Sequence, residues 1–75
     1  TRTEFNILAF LSRHPGKVMT YAAIVTAIWG GLDDGSVKKL QVNMANIRRK
    51  IEKNPAQPQY IFTEVGVGYR IVDPD

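Results

Sequence analysis

The sequence predicts an α+β domain in which three helices precede a C-terminal β-hairpin. Three observations carry that expectation. Apolar residues recur at helical spacing in three segments before residue 54, and aromatic and β-branched residues crowd into two short runs after residue 59. Glycines separate those two runs. The 75 residues make one domain, 1–75. A chain this short buries only about 60% of its unfolded surface, so modest stability is expected.

The first helix opens with Thr1-Arg2-Thr3-Glu4, which fits a capping box: hydroxyl and carboxylate each satisfy a backbone amide at the open end of the helix. Phe5, Leu8 and Leu11, supported by Ile7, follow as its apolar stripe, and Pro15-Gly16 ends it. The second helix starts at Thr20 as N-cap, with Met19 and Ile24 spaced for a hydrophobic staple. Ile24, Ala27 and Ile28 form its buried stripe, and Gly30-Gly31 stops it. Residues 31–36 have no apolar period and read as a polar, flexible loop.

The third helix is the longest, 37–53, closed by Asn54-Pro55. At about 100° per residue, Leu40, Met44, Ile47 and Ile51 share one narrow face. The opposite face carries Lys38, Val42, Ala45, Asn46, Arg49 and Lys53. A helix bathed in solvent has little reason to place Val42 and Ala45 there. A helix lying in a DNA major groove has one: short side chains allow close approach, an apolar one touches a thymine methyl, and an amide reads adenine. Beyond a Pro-containing connector, 60–64 and 69–72 read as strands joined by Val65-Gly66-Val67-Gly68. Helix, helix, long helix and terminal hairpin (60–72) is the order of a winged helix-turn-helix.

Charge supports the same reading. Lys38, Lys39, Arg48, Arg49, Lys50 and Lys53 are opposed within their segment only by Glu52, giving +5 there in a chain of net +3. Such concentration is what a polyanionic partner requires. Apolar residues at 44% and charged residues at 23% describe an ordinary globular chain rather than a disordered one. Without cysteine there is neither a disulfide framework nor a thiolate metal site, and no apolar run is long enough for a membrane span. The expectation is a cytoplasmic protein with no metal and no cofactor. The acids Glu4, Asp33, Asp34, Glu52 and Glu64 are scattered, and no nucleophile–base pair is evident, so an enzyme is not expected. His14 reads as a surface loop residue and Tyr69 as a core plug of the hairpin.

Several strings together resemble the effector domains of OmpR/PhoB-class response regulators: Thr3-Glu4-Phe5, Gly16-Lys17-Val18-Met19-Thr20, Ile28-Trp29-Gly30, Asn46-Ile47-Arg48-Arg49-Lys50-Ile51 and Gly66-Val67-Gly68-Tyr69-Arg70. The connector Asn54–Ile61 and the wing Thr63–Arg70 look most like the KdpE branch, regulators of potassium uptake. The resemblance implies the output domain of a two-component system, part of a longer two-domain protein that dimerises through a receiver domain. It implies the third helix in the major groove, the wing over the minor groove, and an operator of direct repeats in duplex DNA. By position it implies base contacts from Gln41, Val42, Ala45 and Asn46, and phosphate contacts from Trp29, Lys38, Asn43, Arg48 and Thr63. Lys39, Arg49, Lys53 and Arg70 would add to the basic DNA face. The loop 30–36 matches a segment that touches RNA polymerase in some relatives. Val65 and Ala45 depart from the arginines often found at their positions.

Blander readings stand beside these. Trp29 reads equally well as a core aromatic, Thr63 as an ordinary strand residue, and Arg70 as a solvated cation. The rival for the whole chain is a winged-helix module that docks proteins without binding DNA, since a fold alone does not settle function.

Overall fold

A computed structural model describes residues 1–73. Helices α1 (Arg2–Ser12), α2 (Tyr21–Trp29) and α3 (Ser36–Ile51) are joined by a sheet of β1 (Met19–Thr20), β2 (Ile61–Glu64) and β3 (Gly68–Ile71). The sheet is antiparallel in the order β1-β3-β2. This is the winged helix-turn-helix expected, with one addition. The strand β1, two residues long, pairs Met19 with Tyr69 and Thr20 with Gly68. A run this short carries no period-2 pattern. Its pairing depends on Gly68, where a Cβ would lie 1.8 Å from the Met19 carbonyl oxygen.

The predicted caps form. Thr1 Oγ1 accepts from the Glu4 amide at 3.2 Å, and the Glu4 carboxylate takes the Thr1 amine at 3.3 Å. Thr20 Oγ1 accepts from the Ala23 amide at 3.1 Å, and α2 stops at Gly30 in the left-handed region, φ 85°. The inward faces differ in detail from the expected stripes. In α1 the buried residues are Glu4, Ile7 and Leu11, while Phe5 stands outside at 68% exposure. An acid takes the place an apolar residue would fill, and Lys50 Nζ reaches its carboxylate at 2.6 Å from α3. Lys50 therefore caps a buried acid. In α2 it is Val25, not Ala27, that joins Ile24 in the core, with Ile28 only partly covered.

The core gathers Ile7 and Leu11 of α1, Ile24 and Val25 of α2, Leu40, Met44 and Ile47 of α3, and Ile61 and Tyr69 of the hairpin. Tyr69 is the predicted plug, 4% exposed, with its ring edge-on to Tyr21 at 5.5 Å between centroids. His14 is not a free surface residue: it is half-buried, edge-on to Phe10 at 5.4 Å.

Helix α3 ends at Ile51, two residues before the expected Lys53, and Asn54-Pro55 is not what ends it. Glu52 breaks it. Its backbone is extended, and its carboxylate turns back to accept the amides of Gln59, Tyr60 and Ile61 at 2.7–3.3 Å. Those three donors need an acceptor once the connector folds against the helix, and a buried carboxylate supplies it. Ile51 thus sits at the edge of the core, 36% exposed, and Lys53 lies beyond the helix.

Candidate nucleic-acid interface

With its inward face fixed by Leu40, Met44 and Ile47, α3 turns Gln41, Val42, Ala45 and Asn46 outward. Gln41 and Ala45 are exposed, Val42 is 54% exposed, and Asn46 is partly covered. The strip is narrow, lined by short or amide side chains, with the cations Lys38 and Arg49 exposed along it. The Asn46 carbonyl oxygen accepts from Arg49 Nη2.

Polar donors stand on both flanks of this strip. On one flank, Lys39 Nζ lies 5.8 Å from the centroid of the Trp29 ring, and Asn43 Nδ2 donates to the Lys39 carbonyl at 2.9 Å. Trp29 is partly buried against the core at the end of α2, as a core aromatic would be, and part of its surface stays accessible. On the other flank, Arg48 Nη2 donates to Thr63 Oγ1 at 2.7 Å and to the Ile61 carbonyl at 3.1 Å, and its guanidinium lies 5.5 Å from the Tyr69 ring centroid. Arg48 is therefore no solvated cation, and Thr63 is more than a strand residue. Arg48 Nε is buried without a partner among the described residues.

The wing carries its own cation. Arg70 lies 4.7 Å from the Phe62 ring centroid and pairs with Glu64 at 3.4 Å, so neighbours on the wing hold it. The turn between β2 and β3 is closed by Val67 N–H to the Glu64 carbonyl at 2.9 Å, with Gly66 at φ 76°. At its apex Val65 is 91% exposed. The strands differ by a residue from the expected 60–64 and 69–72: β2 begins at Ile61 and β3 runs from Gly68 to Ile71, with the Val72 amide donating to the Tyr60 carbonyl at 2.7 Å just beyond them.

The end of the loop before α3 is tied by side-chain hydrogen bonds. Asp33 Oδ1 accepts from the Ser36 hydroxyl at 2.8 Å and from the Gly35 amide at 3.0 Å, while Ser36 Oγ accepts the Asp33 amide at 2.9 Å. The Ser36 hydroxyl and then the Gly35 amide hold the Asp33 carboxyl below its ordinary range. Leu32, beside it, is 59% exposed.

Glu4 and Glu52 are the residues that sequence reasoning undervalued. Burial by itself would raise the Glu52 carboxyl, but three backbone amides and nearby Arg48 outweigh it and keep the group ionised below the usual range. For Glu4 the Lys50 ammonium does the same. The available signals were an acid spaced at i, i+3, i+7 with Ile7 and Leu11, and a single acid at the end of a helix otherwise rich in cations. Among the described residues no group of three or more His, Cys, Asp or Glu is placed to hold a metal ion. No described helix is long and apolar enough to cross a membrane.

A winged helix whose longest helix turns an amide-bearing, cationic strip outward has the surface expected of a domain that meets a polyanion. Residues 1–71 match the family described as "Transcriptional regulatory protein, C terminal", and the chain belongs to that family of transcription-regulator effector domains. Among solved structures it resembles the Thermotoga maritima response regulator DrrB, an OmpR/PhoB homolog, with 33% identity over 97% of this chain and a TM-score of 0.86. It spans 33% of that protein. The DNA-binding domain of Klebsiella pneumoniae RstA, solved in complex with the RstA box, shares 26% identity over 96% of this chain and 71% of that one, TM-score 0.87. The C-terminal domain of the nisin resistance regulator NsrR is 35% identical over the whole of this chain and 75% of that one, TM-score 0.77.

Proposed function

We propose that the chain binds duplex DNA sequence-specifically, with α3 in the major groove and the β2–β3 wing over the adjacent minor groove. The observation that carries this reading is the pairing of an outward strip on α3 with hydrogen-bond donors on both of its flanks. A major groove about 12 Å wide is bounded by two phosphate walls, and a helix that reads its floor needs donors toward both. Gln41, Val42, Ala45 and Asn46 face the bases. Trp29, Lys38 and Asn43 face one backbone; Arg48 and Thr63 face the other. Lys39, Arg49 and Arg70 add charge, and Lys53 adds it from just past the helix end. The RstA domain solved with its box has the same fold, which supports the reading by analogy.

In this reading the chain is the output half of a longer, cytoplasmic two-component response regulator, acting on direct-repeat operators and dimerising through a receiver domain. DrrB, three times longer than the region it shares with this chain, supports that organisation. The KdpE branch remains the subfamily its connector and wing resemble most. The loop 30–36, with exposed Leu32, is the surface offered to RNA polymerase.

Titrating a labelled chain with duplex DNA while following backbone amide resonances tests the interface. Shifts should concentrate on 38–49 and 60–72. Shifts confined to α1, or none at low salt, would remove the reading and leave the protein-docking module in its place.

A further inference from the structure

Glu52 is an acid in the most cationic stretch of the chain, and by charge alone it opposes a polyanion. It is nonetheless 6% exposed, with both carboxylate oxygens committed to the amides of Gln59, Tyr60 and Ile61. One helical turn earlier on α3, Arg48 donates to the Ile61 carbonyl and to Thr63 Oγ1, and lies against the Tyr69 ring. Ile61 is thus held from both sides of its own backbone: its N–H by Glu52 at 2.9 Å and its C=O by Arg48 at 3.1 Å.

The sheet order shows why this matters. β2 pairs with β3 alone, so β2 is an edge strand whose outer hydrogen-bonding groups need partners from elsewhere. Arg48 in the last turn of α3 and Glu52 at its C-cap provide them. The wing is therefore bonded to α3 by a two-residue clasp, acid and base on successive turns, in addition to the apolar contact of Ile61 and Tyr69 with the core.

We infer that Glu52 and Arg48 are positioning residues that set the wing against α3, so that both reach one duplex in register. The inference rests on the DNA-binding reading above. Arg48 commits Nη2 to the clasp, and Glu52 touches no DNA and acts only through the wing.

The test is hydroxyl-radical footprinting and affinity measurement on a duplex that the wild-type chain selects, with Glu52→Gln and Arg48→Lys beside the wild type. Glu52→Gln removes a negative charge, yet should bind roughly tenfold more weakly, because one carboxylate oxygen becomes an amide donor facing backbone N–H groups. Backbone protection under the wing should vanish while protection under α3 persists. Arg48→Lys keeps the charge but not the fork, and should lose the same protection. Its half-exposed site makes it the deciding variant if Glu52→Gln shows no cooperative melting. Glu52→Gln binding at least as tightly as wild type with an intact wing footprint, or Arg48→Lys matching wild type, overturns the clasp. A wild-type chain that protects no duplex overturns the DNA-binding reading itself, and the clasp's role with it.

Discussion

At the residue scale, the molecule turns on a few side chains whose surroundings decide their role. Gly68 is one. The β1 backbone crosses it so closely that a Cβ would fall 1.8 Å from the Met19 carbonyl oxygen and 2.8 Å from the Thr20 Cα. Both obstacles are backbone, so neither can rotate away. Gly68→Ala should cost about 3 kcal/mol or more, as forced overpacking does, and should separate β1 from β3. Urea denaturation of the variant checks this, and a midpoint within error of wild type would contradict it. Asn46 and Arg49 are a second case. Spacing puts both on the outward face, and the structure couples them: the Asn46 carbonyl oxygen accepts from the Arg49 guanidinium. Phe5 is a third. Its spacing with Leu8 and Leu11 was as good as that of Glu4 with Ile7 and Leu11, and hydrophobicity favoured it. The buried face centres on Ile7 and Leu11, and Glu4 joins them with its carboxylate paired to Lys50, 46 residues away in sequence.

At the element scale, the helix ends read well where the signal is local. Thr1-Glu4, Thr20 and Gly30 act within one turn of themselves, and each performs as its residue type requires. The end of α3 was not legible, because it depends on Glu52 meeting amides that lie seven to nine residues further on. Strand β1 escaped notice for the same reason: two residues become a strand only because Tyr69 and Gly68 come alongside. The acids that organise these ends make a prediction about pH. Folding lowers the carboxyls of Glu52, Glu4 and Asp33 from ordinary values of 4.5, 4.5 and 3.8. A group ionised more readily in the folded state stabilises it above the unfolded value, and that stabilisation is lost as pH falls through the folded value. The urea midpoint should therefore drop between roughly pH 5 and pH 3, with a shallower drop in Glu52→Gln. A midpoint that rises on acidification would contradict the assignment.

For the whole molecule, the order of elements and the charge distribution were sufficient to expect a winged helix with its cationic helix outward. The structure adds how the pieces are held together: Lys50 ties α3 to α1, Arg48 and Glu52 tie α3 to the wing, and Met19–Thr20 tie the start of α2 to β3. The outward strip of α3 and the wing are thereby held in one arrangement. Local periodicity could not reveal those ties, since each joins residues distant in sequence. The central claim is that this surface reads a specific duplex sequence. Selecting from a random duplex pool with the chain at moderate salt, and sequencing what is retained, tests that claim most directly. Enrichment of a half-site, alone or as direct repeats about one helical turn (10–10.5 base pairs) apart, is the predicted result. Retention of no motif even at low salt, where charge alone favours every sequence equally, would contradict it.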